Sequence, residues 1–140
     1  MVLFVCADPE NGVAFNSRRQ TSDTAVYADL CAFAESNRCG ITMTEYSRKA
    51  VARYLTKFQP LGLQHPIFTE EPQGFFSELQ DCGDFMSIEE YSEVVLYRWD
   101  HVYPADTYLQ LDLHSLCKID EQVLSGSSHE KITKETYRKG

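Results

Sequence analysis

The residues after the first methionine, Val2-Leu3-Phe4-Val5-Cys6-Ala7, are apolar without interruption. A strand with one wet face alternates polar with apolar residues, and this run does not, so it belongs inside a sheet covered on both faces. Asp8-Pro9-Glu10-Asn11-Gly12 then reads as a turn. The next periodicity is helical. Val26, Leu30 and Phe33 share one face of a helix predicted over 22–36, with Thr21 or Ser22 available to cap it. Gly40 releases a short strand, Ile41-Thr42-Met43. A second helix is predicted from Thr44 to Phe58, with Val51, Leu55 and Phe58 on its apolar stripe and Pro60 beyond its end.

The stretch 59–84 holds three prolines and three glycines and carries no clear period. Phe75, Phe76 and Leu79 fit one helical turn laid over the core. Strands are predicted at 84–88, 93–99, 115–124 and 129–137, the last two forming a hairpin across Gly126. The order is strand, helix, strand, helix, then strands. It describes an α/β domain over 1–140: a mixed sheet flanked by helices, ending in an antiparallel hairpin.

With 43% hydrophobic and 12% aromatic residues, 140 residues can bury a real core. The net charge of -8 repels a phosphate backbone and argues against nucleic acid as a partner. Five cysteines, an odd number without a CxxC pair, imply a reducing and therefore cytoplasmic setting. No apolar stretch of about 18 residues is available to span a membrane. His65, His101, His114 and His129 are scattered and share no metal-ligand spacing with the cysteines, so no metal is expected. Ser128 and His129 are neighbours on a predicted strand edge, where side chains point to opposite faces and cannot act as nucleophile and base.

Several landmarks together resemble a dihydrofolate reductase. They are the Val2–Ala7 strand, the Asp8–Gly12 turn, Asp23 at the start of a helix, Leu96-Tyr97-Arg98-Trp99, Tyr103-Pro-Ala-Asp-Thr-Tyr108, and Gly126-Ser-Ser-His-Glu-Lys-Ile132. The resemblance implies that family's mixed sheet, and it implies that Asp23 is the helix acid that pairs with a pterin and promotes its protonation. It also shows departures. Thr44-Glu45 stands where such reductases have a Gly-Arg pair. The stretch Gly83–Tyr91, with Glu89 and Glu90, stands for their double glycine. Tyr97 occupies the place of a threonine that reaches the acid and the ligand.

Residue chemistry points the same way. A carboxylate in a first helical turn is favoured as a charge, so Asp23 is either a catalytic acid or only a helix-end charge. Arg18 and Arg19 can grip a carboxylate or phosphate in a bidentate fork, or be a solvated pair. With Phe15 and Tyr97 they make up the expected ligand site. A phosphate needs backbone N–H groups, glycine and basic side chains. Two carboxylates about 5 Å away would repel it by several kcal/mol at an effective dielectric of about 20. Arg48 and Lys49 stand near Glu45 as possible compensation. The expectation is thus a reductase-like protein that binds a small pterin- or nucleotide-like molecule, with no cofactor. Whether it catalyses a reaction is open. The alternative is a minimal NADPH-dependent reductase. A third reading is an interaction protein whose pocket is plugged by Tyr97, Phe15 and Trp99.

Overall fold

The structure, a computed structural model, describes residues 1–58, 67–68, 72–79 and 91–139. Its main sheet has six strands: β1 (Val2–Ala7), β4 (Gly40–Met43), β5 (Pro72–Ser77), β6 (Glu93–Arg98), β8 (Leu116–Leu124) and β9 (Ile132–Lys139). They are ordered β4-β5-β1-β6-β9-β8. β1 pairs in parallel with β5 on one side and β6 on the other, and every residue in it is buried. β9 runs antiparallel to both β6 and β8. The interior first strand and the closing antiparallel pair are therefore as the apolar run and the Gly126 turn predict.

Alternation along the strands divides the core between two faces. On one, Phe4, Cys6, Val95, Tyr97 and Ile132 pack under Val26, Leu30, Cys31 and Ala34 of helix α1 (Thr24–Asn37). Phe33 joins edge-on against Phe4, ring centres 5.0 Å apart. Helix α2 (Glu45–Phe58) contributes Val51 to the same cluster. On the other face Leu3, Val5, Ala7, Val94, Leu96 and Tyr137 form a second cluster. Three short strands, β2 (Gly12–Phe15), β3 (Arg18–Arg19) and β7 (Thr107–Tyr108), make a separate small sheet in the order β3-β2-β7.

Two local expectations need correction. Residues 72–77 are a strand, not part of a helical turn: Phe76 is buried with the α1 cluster while Phe75 packs against the other. A short apolar run buried on both faces has the same composition as a buried helical turn, and periodicity cannot separate them. The cap of α1 is Asp23, not Thr21 or Ser22. Its backbone is extended (φ -151°) and its carboxylate accepts from Ala25 N–H at 2.9 Å. The predicted strand 84–88 lies outside the described residues, as do Glu89, Glu90, His65 and Cys82.

Candidate functional site

The β2–β3 hairpin turns through Asn16 and Ser17, both with positive φ (52° and 57°). This is the conformation of a two-residue type I′ loop, which brings Phe15 and Arg18 into register. Asp106 Oδ2 fixes the loop by accepting from Asn16 N–H at 3.0 Å. Behind it, buried Asp8 accepts from the N–H of Gly12 at 2.9 Å, of Tyr103 at 3.1 Å and of Glu10 at 2.8 Å, and from Gln20 Nε2 at 2.9 Å. Burial alone would raise the Asp8 pKa, but these donors outweigh it and lower the value. Gly12 is required for this closeness, because a Cβ there would stand 2.7 Å from Gln20 Nε2 and 2.8 Å from Ala105 Cβ.

The result is a cavity of about 540 Å³ lined by Phe15, Asn16, Arg18, Arg19, Gln20 and Tyr103. Three of the expected ligand residues, Phe15, Arg18 and Arg19, thus share one site. Phe15 is 43% exposed, and Arg18 is exposed with no partner among the described residues. Gln20 Oε1 is buried and meets no hydrogen-bond donor among the described residues. Arg19 is committed elsewhere. Its Nε and Nη2 grip Glu78 at 2.8 and 3.0 Å, and its guanidinium lies 4.2 Å from the centre of the Tyr46 ring. Glu78 directly follows β5, so this pair stands beyond the carboxyl ends of β5 and its parallel neighbour β1, the usual ligand crevice of a parallel sheet. Burial, and then the Glu78 charge, push the Cys6 thiol well above its ordinary pKa, which leaves it an inert core residue.

Asp23 is buried, as its place on the Val26–Leu30 face demands, and the 126–129 turn packs onto its carboxylate. Ser127, Ser128 and His129 donate backbone N–H groups to the carboxylate at 2.9, 2.8 and 3.1 Å, and His129 Nδ1 lies 3.0 Å away. Gly126 allows this contact, since a Cβ there would collide with Asp23 Oδ2 and come within 2.5 Å of the His129 carbonyl. The His129 ring stacks on Trp99 at 4.7 Å, and its Nε2 meets the Tyr103 hydroxyl at 2.9 Å.

Tyr97 is wholly buried and belongs to a different cluster. Its hydroxyl donates to Asp29 Oδ2 at 2.5 Å, and Lys134 Nζ pairs with the same oxygen at 2.8 Å. The helix acid that Tyr97 reaches is therefore Asp29, not Asp23. Burial, followed by the Asp29 charge, holds the Tyr97 phenol protonated well above its usual range. Glu45 is exposed in the first turn of α2, and Arg48 lies over the Phe68 ring at 4.4 Å. Among the described residues no group of three or more His, Cys, Asp or Glu side chains is placed to hold a metal. Nor is any helix there long and apolar enough to cross a membrane.

No family model matches the chain, and no curated protein matches its sequence. Among solved structures it is similar to dihydrofolate reductase from Enterococcus faecalis, complexed with NADP(H) and RAB-propyl. The TM-score is 0.60 at 9% identity, over 100% of this chain and 96% of that one. The fold is dihydrofolate reductase-like. At such low identity the likeness concerns the backbone, and the dihydrofolate reductase-like scaffold here carries its own side chains. Sequence reading alone missed Asp29, Lys134, Glu78, Tyr103 and His129. For Asp29 a signal existed: it is three residues after Val26 and adjacent to Leu30, on the shoulder of the buried stripe. For the His129–Asp23 contact, 106 positions apart in the chain, no local pattern pointed to it.

Proposed function

We propose that this protein binds a small, planar, anionic molecule of pterin or nucleotide type in the cavity at the β2–β3 hairpin, without nicotinamide hydride chemistry. The observation that carries this is the exposed Arg18, without a partner among the described residues, beside the exposed Phe15 face at a cavity of about 540 Å³. A guanidinium supplies a fork for a carboxylate or phosphate. The aromatic face suits a ring, and the orphan Gln20 Oε1 offers an acceptor to a ligand N–H. NADPH is not part of the reading: the crevice beyond β1 and β5 holds the Arg19–Glu78 pair, and Glu45 sets a negative charge at the α2 N-terminus, where a phosphate would dock. A thermal-shift panel of folates, pterins, nucleotides, NADH and NADPH tests it. A ligand at one hundred times its Kd stabilises by about 2.7 kcal/mol, and Arg18→Ala should abolish the shift. No shift with any folate, pterin or nucleotide, or a shift that survives Arg18→Ala, refutes the site.

A second reading rests on Asp29. Its Oδ2 takes both Tyr97 and Lys134, while Oδ1 has no partner among the described residues and the side chain is 19% exposed. A half-buried carboxylate with one free oxygen is suited to the amino and ring nitrogens of a pterin, the role that the resemblance gives to the helix acid. Pterin binding lost in Asp29→Asn but kept in Arg18→Ala would favour this site over the hairpin cavity.

A further inference from the structure

We propose that Tyr103 is a general base toward the molecule held in the hairpin cavity, activated by a proton relay through His129 to Asp23. The proposal rests on the ligand-binding reading of that cavity and adds a reaction class to it: proton abstraction from a ligand hydroxyl or ring N–H. The relay is continuous. Tyr103 Oη is 2.9 Å from His129 Nε2, and His129 Nδ1 is 3.0 Å from Asp23 Oδ2. The His129 and Asp23 side chains are 2% and 0% exposed, so water does not short-circuit the line between them. Trp99 fixes the imidazole plane by stacking at 24°.

Proton positions follow from the partners. An ionised carboxylate only accepts, so Nδ1 carries the imidazole proton and Nε2 presents a lone pair. Tyr103 donates into that lone pair. Thr21 Oγ1, at 3.4 Å, is the more distant neighbour. The phenol oxygen keeps lone pairs of its own, and Tyr103 lines the cavity beside Arg18. In the step, the ligand X–H bond breaks and its proton joins the phenol oxygen as the phenolic proton passes to Nε2. The imidazolium so formed sits against the Asp23 carboxylate, and the relay resets when the phenol gives its proton to a second ligand atom or to water and regains one from Nε2. No electrons change hands and no co-reactant is required. In the proposed step Tyr103 is the residue that meets the ligand, and His129 and Asp23 are positioning residues, in the arrangement by which a base and its orienting acid activate a hydroxyl. Anchoring the 126–129 turn needs only the three backbone N–H groups on Asp23; the Tyr103 contact satisfies the buried Nε2 and extends the line to a residue that lines the cavity.

A tyrosine activated in this way should also be a nucleophile, which can be measured without the natural ligand. The probes are 4-(fluorosulfonyl)benzoate and uncharged benzenesulfonyl fluoride, read by peptide mass spectrometry at pH 7. The phenol oxygen attacks sulfur, fluoride leaves, and the phenolic proton goes to His129. Tyr103 should be sulfonylated by both probes roughly tenfold or more faster than Tyr108, which is 53% exposed and has no such relay. His129→Gln should bring Tyr103 down to the Tyr108 rate, while an unchanged Tyr108 rate and melting temperature report an intact fold. Tyr103 reacting no faster than Tyr108 in the native protein overturns the relay whatever the variant does, and so does a ratio that survives in folded His129→Gln. Failure of the cavity reading looks different: the carboxylated probe then gains nothing at Tyr103 over the uncharged one.

Discussion

Asp23 lies three residues before Val26 and seven before Leu30, on the buried face of α1, and its carboxylate is closed off from solvent. What the spacing did not reveal is that its partners come from the far end of the chain. Burial by itself would raise the carboxyl pKa; the N–H groups of Ala25, Ser127 and Ser128 and the His129 ring outweigh that and hold it far below the ordinary carboxylate range. An acid with a depressed folded-state pKa contributes stability that is fully present above its unfolded value, about 4, and is lost as pH falls through the folded value. Urea unfolding from pH 7 to pH 2 should therefore show a loss of stability below about pH 4 that Asp23→Asn lacks. At pH 7 the same variant should be less stable by about 1–3 kcal/mol: the Asn side-chain oxygen can still cap α1, but its NH2 group faces buried N–H donors. Equal acid limbs in the two proteins would show that the carboxylate is not the anchor of the 126–129 turn.

Among the elements, legibility followed periodicity and failed where periodicity is ambiguous. Both helices and the buried β1 were readable because 3.6-residue spacing and unbroken apolarity each have one structural meaning. β5 was not, since Phe75 and Phe76 side by side serve two faces of a strand as well as one turn of a helix. The small sheet was hidden for another reason: β2, β3 and β7 are short, and their register is set by Asn16, Ser17 and Asp106 rather than by hydrophobic pattern. The end of α1 gives a test. Gly40 was expected to release the chain, but the left-handed cap is Arg38, with φ 47° and its N–H directed at the carbonyls of Ala34 and Glu35. A non-glycine residue in that conformation costs about 1–2 kcal/mol. Arg38→Gly should recover roughly 1 kcal/mol, measured as a higher urea midpoint with an unchanged m-value. A lower midpoint would mean that the Arg38 side chain contributes more than its backbone costs.

At the scale of the whole molecule, the dihydrofolate reductase-like backbone and the side chains lining it tell separate stories. The candidate site was legible in Phe15, Arg18 and Arg19, which the hairpin gathers, but not in Glu78, which nothing in the sequence tied to Arg19 across 59 positions. That pair stands in the crevice beyond β1 and β5 and bears on what could enter it. Glu78 has a side chain 4% exposed and is held in two hydrogen bonds, so removing Arg19 alone leaves a buried charge without its partner. Arg19→Met should therefore destabilise the protein by about 3–5 kcal/mol, whereas Arg19→Met with Glu78→Met should be nearly neutral, since two apolar side chains of similar volume replace a costly desolvated pair. The double variant also isolates the cofactor question. In calorimetric titrations at low salt, where weak electrostatics are least screened, NADPH should bind the native protein more weakly than the micromolar range. If the Arg19–Glu78 pair is what bars the crevice, the double variant should gain measurable affinity while keeping its melting temperature. If the double variant still binds nothing, the barrier lies in the missing phosphate donors around Thr44 and Glu45, and Glu45→Arg becomes the substitution that should restore binding. Micromolar or tighter binding to the native protein would instead establish a working nicotinamide site and make the minimal reductase the better account of the molecule.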